Sequence, residues 1–331
     1  MMLTLTSLIT GQKTGGGIRV VFYNVENLFD TTNSNLDDEE FLPDGVRRWN
    51  SGKYFRKINN IFKVIALCGE WSPPDIIGLC EIENYEVLQD LIVRTPLNQL
   101  PYEPLFAPSA DDRGIGVGLL YNNERFDILG KDIWYPVSNE LDTIRTRSVL
   151  SVTLSDMYDT LDIIITHWPS MRGGVTATDN LRRGVAVMIR DNVEKKLENR
   201  NGGKILILGD FNCAPGSETI TDWLGALPIS SHIEQNSLYN LSANMVCKTG
   251  GSYKFQGNWD MLDQIIASGS LLEPVNGYRL VERNCHVVTD DVLLIEDGRY
   301  RGRKPFSTWS GYNYTGGYSD HLPVILDLIL N

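Results

Sequence analysis

The feature that most constrains this 331-residue chain is a recurring pattern in which a short apolar run stops at a polar side chain. The run KILIL leads into Gly209-Asp210-Phe211-Asn212, and the run LDIII leads through Thr166 to His167. Runs of this length, rich in Ile, Val and Leu, are typical of buried strands. Ligands of open α/β sheets bind beyond the strand ends. We therefore expect these polar side chains to meet at one edge of a sheet.

The same pattern occurs in the first quarter of the chain. In IRVVFYNVENLFD, Asn24 and Glu26 alternate with apolar residues, and alternate residues of a strand share one face. Further on, the breaker pair in SPPDIIGLCEIEN precedes a predicted strand over 75–79, and Glu81 stands where that strand ends. Two more acids are thus expected at the same kind of position.

The C-terminal half repeats the pattern with an acid and an acid-histidine pair. Asp263 lies at the start of the apolar run in WDMLDQIIAS, and Asp320 and His321 lead into the last run, PVILDLIL. The chain has 42 acids but only four histidines, so a histidine at a strand end is a more specific sign of a site than an acid is. His232 and His286 have no polar signal beside them and are expected to be structural or surface residues. The strand-end set, rather than any single member, indicates a site.

Taken in order, these motifs resemble those of the endonuclease/exonuclease/phosphatase superfamily. That group includes pancreatic-type deoxyribonucleases, abasic-site endonucleases, neutral sphingomyelinases and inositol-polyphosphate 5-phosphatases. The resemblance runs from Ile18 to Ile329. It implies a four-layer α/β sandwich, with two mixed β-sheets packed face to face, helices on both outer faces, and a divalent-metal site at one edge.

The resemblance also implies a role for each matching residue. The implied metal ligands are Glu81, Glu26 and Asp320, although Glu26 is a longer acid than the family usually has there. The implied contacts to the substrate phosphate are Asn24 and Arg147, the latter just before the run VLSVTL. The implied catalytic residues are the Asp-x-Asn pair Asp210 and Asn212, the phosphate-facing His167, and His321 with Asp263 as its orienting acid. Arg172, in the loop after His167, is a further candidate for phosphate binding or a solvated arginine at a helix start.

Phosphoester hydrolysis supplies an independent argument for the same residue types. Mg²⁺ prefers a few carboxylates together with water and phosphate oxygens, and Mn²⁺ or Ca²⁺ are the alternatives. A carboxylate such as Asp210 can accept a proton from water, and a carboxamide such as Asn212 can donate to a phosphoryl oxygen. A hydrogen bond from the His321 ring to the Asp263 carboxylate would favour the charged form of His321. His321 then acts as a cation, the role we favour, or as a base.

Composition bounds the organisation of the chain. No linker or repeat divides it, so we expect a flexible tail or leader remnant over residues 1–17 and a single domain over residues 18–331. Within the domain, Thr31 to Asn50 is predicted to be an exposed polar insertion and Lys53 to Cys68 the first helix. Aromatic residues in the loop 306–318 either stack on a base or sugar or pack the loop down.

Charge and hydropathy limit the partners. The net charge of −12 argues against a stable nucleic-acid complex, which needs many Lys and Arg contacts to phosphate. No run is long enough to span a membrane. We expect a soluble monomer, periplasmic or secreted if the N-terminus is a leader remnant. The expected activity is Mg²⁺-dependent hydrolysis of phosphodiesters, as a nuclease or general phosphodiesterase. The alternatives are a phosphatase or sphingomyelinase-like hydrolase, and a catalytically silent binding protein on the same fold.

Overall fold

The computed structural model describes residues 17–34, 37–70, 72–109, 113–136, 146–171, 175–245 and 249–331. The predicted N-terminal tail lies outside these residues except for Gly17. The domain boundary at residue 18 therefore stays a prediction. None of the described helices is both long and apolar enough to cross a membrane.

The described residues form twenty strands and four α-helices. The strands are β1 Ile18–Leu28, β2 Ile76–Ile82, β3 Tyr102–Ala107, β4 Gly116–Asn122, β5 Asp127–Trp134, β6 Val149–Ser155, β7 Thr160–His167, β8 Lys204–Asp210, β9 Ala226–Pro228, β10 Leu238–Asn240, β11 Tyr253–Phe255, β12 Asn258–Asp260, β13 Asp263–Ser268, β14 Tyr278–Leu280, β15 His286–Val287, β16 Leu294–Glu296, β17 Arg303–Pro305, β18 Trp309–Ser310, β19 Asn313–Tyr314 and β20 Val324–Leu330. The helices are α1 Ser51–Gly69, α2 Tyr85–Val93, α3 Val175–Asn199 and α4 Gly269–Leu272. Single 3-10 turns cover Glu39–Phe41, Pro96–Gln99 and Asp291–Leu293, and a π-turn covers Thr219–Trp223.

Two seven-stranded sheets carry the fold. The first has the order β14-β20-β1-β2-β4-β3, with β15 also paired to β20, and the second has the order β5-β6-β7-β8-β13-β10-β9. Both are mixed, because β1–β2 and β7–β8 are parallel while β1–β20 and β8–β13 are antiparallel. The predicted pair of mixed sheets is confirmed.

Alternation along β8 shows how the layers are built. Leu206 and Leu208 belong to the core between the two sheets, whereas Ile205 and Ile207 belong to the core under α3. Alternate residues of a strand point to opposite faces, so a continuous apolar run serves two interfaces. Helices α1 and α2 pack on the outer face of the first sheet. The predicted four-layer sandwich with helices on both outer faces is confirmed.

Helix α1 begins two residues before its predicted start. Asn50 caps it, since the Asn50 side chain accepts a hydrogen bond of 3.1 Å from the backbone N–H of Lys53. The buried face of α1 carries apolar residues but also Lys57 and Asn60. Two polar side chains in a helix–sheet interface need buried partners, and these partners lie in the loop before β20.

The insertion over 31–50 is not exposed throughout, so that prediction is wrong in part. Phe41 and Trp49 are buried, and the rings of Phe29 and Phe41 stack with centroids 4.2 Å apart. The Trp49 ring lies 5.7 Å from that of Trp309, in the loop 306–318. The polar residues around these aromatic side chains led to the prediction of exposure. The aromatic side chains instead form a cluster that packs the insertion against this loop. Trp309 therefore packs the loop down, which was one of the two alternatives expected for the aromatic residues of this loop.

Candidate active site

Strand register in the second sheet aligns three of the predicted side chains. His167 at the end of β7 lies opposite Asp210 at the end of β8, in parallel register. Asp263 at the start of β13 lies opposite the same Asp210, in antiparallel register. The carboxyl ends of β7 and β8 and the amino end of β13 therefore meet at one edge, as the sequence predicted.

The first sheet delivers Asn24 and Glu81 to the same edge. Asn24 pairs with Cys80, and the register between β2 and β4 shifts between Cys80 and Ile82, at Glu81. The Asn24 Nδ2 donates to Glu81 Oε1 at 3.4 Å and to Asp210 Oδ2 at 3.1 Å. One carboxamide thus links carboxylates from the two sheets.

The backbone around this edge is unusual. Four non-glycine residues adopt left-handed conformations, with φ of 55° at Glu26, 54° at Asn27, 64° at Glu81 and 49° at Asn212. Asn adopts this conformation at low cost, but each glutamate there costs about 1–3 kcal/mol. Glu81 is held in place partly by Asn27, whose backbone N–H donates to Glu81 Oε2 at 2.8 Å. Strained residues of this kind cluster at functional sites.

His321 is bound tightly by Asp263. Its Nδ1 lies 2.7 Å from Asp263 Oδ2, and the Ser252 hydroxyl donates to the same oxygen at 2.5 Å. Burial alone would lower the pKa of His321, but the Asp263 carboxylate, together with other nearby acids, raises that pKa well above its ordinary value. His321 is therefore an imidazolium near neutral pH, and its Nε2 lies 3.9 Å from Asp210 Oδ2.

His167 has the opposite electrostatics. Burial, and then the positive charges of Arg147 and Arg113, lower the pKa of His167 well below its ordinary value. Its Nε2 lies 3.6 Å from Asp210 Oδ2. Burial raises the pKa of Asp210 to about 7, even though the charge of His321 opposes that rise. The site thus holds a cationic histidine, a neutral histidine and a carboxyl group that titrates near neutral pH.

Arg147 and Asn212 share one acceptor. Arg147 Nη1 donates to the carbonyl of Trp168 at 2.9 Å, and Asn212 Nδ2 donates to the same carbonyl at 3.0 Å. Both side chains hold the segment that follows His167, and both also line the cleft. Their contacts to a substrate phosphate stay predictions. Arg172 lies outside the described residues.

Seven of the predicted residues line one cleft of about 330 Å³, whereas Asn24, Glu26 and Asp263 do not belong to its lining. Its walls include Asn27, Glu81, Arg113, Arg147, His167, Ser170, Met171, Asp210, Asn212, Tyr253, Phe255, Asp260, Leu262, Asp320 and His321. Glu81, Asp210 and Asp320, which are far apart in sequence, therefore share a common cavity, as the proposed chemistry requires.

Carboxylates in this cleft fit a hard divalent cation. Burial raises the pKa of Asp320, and the negative charge of Glu81 raises it further, although His321 opposes both. Two half-buried acids that repel each other and supply oxygen ligands are a donor set suited to Mg²⁺. Asp210, Asp263 and His321 also have ligand atoms within 4.8 Å of one another, but the short Asp263–His321 hydrogen bond favours a proton there.

Glu26 has partners in the loop 306–318. Its carboxylate accepts hydrogen bonds from the backbone N–H groups of Thr308 at 2.5 Å and Trp309 at 3.1 Å, and lies 3.9 Å from Lys57 Nζ. Burial, and then the charge of Asp320, raise the pKa of Glu26 to about 8. Glu26 thus anchors a loop, and its role as a metal ligand stays a prediction.

The sequence profile described as Endonuclease/Exonuclease/phosphatase family matches residues 19–329. The chain belongs to the endonuclease/exonuclease/phosphatase family. Proteins of this family generally hydrolyse phosphoester bonds and generally depend on a divalent metal. No curated protein sequence matches the chain.

Solved structures of the endonuclease/exonuclease/phosphatase family share the fold at low sequence identity. A family protein from Bacteroides thetaiotaomicron is 16% identical, with a TM-score of 0.59 and 95% of each chain covered. The human Nocturnin catalytic domain with bound sulfate is 17% identical, with a TM-score of 0.58 and 95% of each chain covered. The B. thetaiotaomicron mannosyl-6-phosphatase is 17% identical, with a TM-score of 0.59, covering 94% of this chain and 99% of that one.

Three residues in or next to the site of this family member were not predicted from the sequence. Arg113 lines the cleft and opposes the effect of burial on the pKa of Glu81, which is lowered overall. Tyr253 places its ring 4.6 Å from that of His321. Lys57 lies buried beside Glu26. None stands at the end of an apolar strand, so the strand-end signal could not find them.

Proposed function

We propose that this family member is a metal-dependent phosphoesterase that activates water for attack on phosphorus. The observation that carries the proposal is the Asp263-bound His321 facing Asp210 in the cleft that also contains Glu81 and Asp320. A protein that merely bound phosphate would not need a buried imidazolium beside a carboxyl group that titrates near neutral pH. This disfavours the catalytically silent alternative.

Glu81 and Asp320 are the residues that would hold the cation, with Mg²⁺ expected first and Mn²⁺ or Ca²⁺ as alternatives. A divalent cation bound there would offset the negative charge that grows on the phosphoryl oxygens. Glu81 lies at the bulge in β2, and Asp320 lies in the loop that leads into β20.

Asp210 is suited to accept the proton of the attacking water. Its pKa of about 7 matches the pH at which a general base is most effective. The Asn24 carboxamide fixes one Asp210 oxygen by a hydrogen bond of 3.1 Å. The base is therefore oriented before substrate arrives.

The two histidines supply charge and hydrogen bonding at the phosphoryl group. His321 faces the cleft as a cation and stabilises negative charge that develops in the transition state. His167 is neutral and adds a polar contact without adding charge. The difference in charge between the two histidines depends on Asp263, which lies behind His321 and is completely buried.

The substrate expected first is a phosphodiester, as for a nuclease or general phosphodiesterase. The cleft of about 330 Å³ and the net charge of −12 suit a small or weakly held ester better than a long polyanion. A phosphatase of small esters is the second candidate, supported by the shared fold of the mannosyl-6-phosphatase.

The test is a hydrolysis screen of the full chain with Mg²⁺, Mn²⁺ and Ca²⁺. The substrates are bis-p-nitrophenyl phosphate, p-nitrophenyl phosphate, plasmid DNA, single-stranded RNA, sphingomyelin and inositol phosphates. We expect metal-dependent turnover that EDTA abolishes, and that His321→Ala reduces by orders of magnitude. Absence of hydrolysis with every metal and ester would contradict the proposal and favour a silent binding protein.

A further inference from the structure

The catalytic cleft continues into a second cleft of about 400 Å³. Asn27, Arg113 and Asp320 line both cavities. A group attached to a phosphate in the catalytic cleft can therefore extend into the second cleft. The remaining wall comes from the insertion over 31–50 and the loop 306–318, which the strand-end pattern did not assign to the site.

The far wall of the second cleft is built around Arg47. Its guanidinium carbon lies 4.9 Å from the ring centroids of Phe41 and Trp309 and 5.1 Å from that of Tyr312. Arg47 also donates to Glu40 Oε2 at 2.9 Å and to the carbonyl of Gly311 at 3.0 Å. The aromatic rings already hold a cation, so they do not form an empty cage for a ligand ammonium group.

The second cleft is lined by more carboxyl groups than guanidinium groups. Glu26, Asp37, Glu40 and Asp320 line it, together with Arg47 and Arg113. Glu26 has a pKa of about 8 and Glu40 is paired with Arg47, so the negative charge that a second phosphate would meet here is chiefly that of Asp37. Carboxylates are good acceptors, however, for the hydroxyl groups of an uncharged ligand.

Two exposed groups in the wall suit a hydroxyl-bearing ring. Tyr312 is 60% exposed and offers an aromatic face, and Asp37 lines the cleft and is exposed. Asn27 Oδ1 and Trp309 Nε1 are also buried without a hydrogen-bond partner among the described residues. A hydroxyl group can complement both an acceptor and a donor.

We propose that the second cleft binds an uncharged, polyhydroxylated part of the substrate, such as a sugar ring, next to the phosphate that is cleaved. This inference rests on the proposed phosphoesterase function and narrows its substrate class to sugar phosphate esters. Tyr312 stacks on the ring and Asp37 accepts hydrogen bonds from its hydroxyls. Both residues determine specificity and neither takes part in the chemical step.

The test compares Asp37→Asn and Tyr312→Ala with wild type on two substrates. The measured quantity is the ratio of kcat/KM for hexose 6-phosphates to kcat/KM for p-nitrophenyl phosphate, which carries no hydroxylated ring. We expect each substitution to lower this ratio about tenfold, as for loss of one good hydrogen bond or stacking contact. Asp37→Lys should raise activity on a hexose bisphosphate relative to the monophosphate, because it reverses the repelling charge.

Matched controls come from the opposite end of the second sheet. Asp127→Asn changes an exposed acid at the start of β5, and Tyr158→Ala changes an exposed tyrosine just before β7; both positions lie at the end of the sheet away from His167. They should leave the ratio as in wild type. An unchanged ratio in both Asp37→Asn and Tyr312→Ala would overturn the inference alone. Wild-type inactivity on every ester would overturn the proposed function and this inference with it.

Discussion

Replacement of Lys57 by Met tests how the catalytic loop is held in place. The Lys57 side chain is fully buried under the loop 306–318. Its Nζ donates to Thr308 Oγ1 and, at 2.7 Å, to the carbonyl of Tyr318, two residues before Asp320. Met has similar length and volume, so Lys57→Met removes the charge and the donors without opening a cavity.

The expected loss of stability follows from these contacts. A hydrogen bond from a charged donor contributes about 1.5–3 kcal/mol, and Lys57 makes two. Removing one partner of a buried ion pair costs about 3–5 kcal/mol, but Glu26 keeps two backbone donors and is readily protonated, with a pKa of about 8. We therefore expect the free energy of unfolding to fall by about 3–4 kcal/mol. A domain of ordinary stability would remain folded.

The assay is guanidinium denaturation followed by circular dichroism, with kcat measured on the folded variant. Lys63→Met, on the exposed side of the same helix, is the control and should change stability by less than about 0.5 kcal/mol. Glu26→Gln should lower the free energy of unfolding less in the Lys57→Met background than in wild type, because the two side chains interact. A loss below about 1 kcal/mol, or full additivity, would refute this account of the loop.

Four further substitutions address the chemistry. His321→Ala should lower kcat by about 10²–10⁴-fold with the fold intact by circular dichroism, and a rate equal to wild type in Mg²⁺ buffer would contradict its role. Glu81→Gln should weaken Mg²⁺ binding in calorimetry by at least about tenfold. That is the lower end of the loss in metal affinity when a residue that only contacts a metal ligand is replaced. Equal Mg²⁺ affinity in the variant and wild type would remove Glu81 from the ligand set. Asp263→Asn should lower the pKa of His321, because the carboxylate that raises it is lost, so activity should fall more at pH 8 than at pH 6. Ser252→Ala, which keeps the Asp263 charge, should shift that pH profile less, and identical profiles in both variants would count against the imidazolium.

Local sequence signals predicted the strand ends because each signal is contained in a few residues. Apolar runs mark buried strands, and a polar residue where the run stops marks the edge of a sheet. His167, Asp210 and Asp263 were found in this way, and their strands proved to be neighbours. Which strands are neighbours is set by long-range packing, which the runs alone do not encode. The resemblance to a known family supplied the two-sheet architecture, and the order of the strands was not predicted.

The residues that the sequence analysis missed depend on contacts between distant segments. Lys57 meets Thr308 and Tyr318, 251 and 261 positions away. One local sign was present, because Lys57 lies four residues before Ile61 on the apolar face of α1. Arg113 precedes β4, whose first residue pairs with Ile82, and so it reaches the edge that holds Glu81. That pairing cannot be read from the sequence.

The left-handed glutamates have a consequence for engineering. Glycine at position 81 would relieve local backbone strain, so a screen for heat resistance would tend to favour that replacement. The same change would delete a proposed ligand. At position 26 glycine would also remove the carboxylate that holds the loop before the final strand, so the lost contacts would offset the relief of strain. Thermotolerance gained at position 81 would come at the expense of turnover, so consensus-style stabilisation of this enzyme fold should leave both positions untouched.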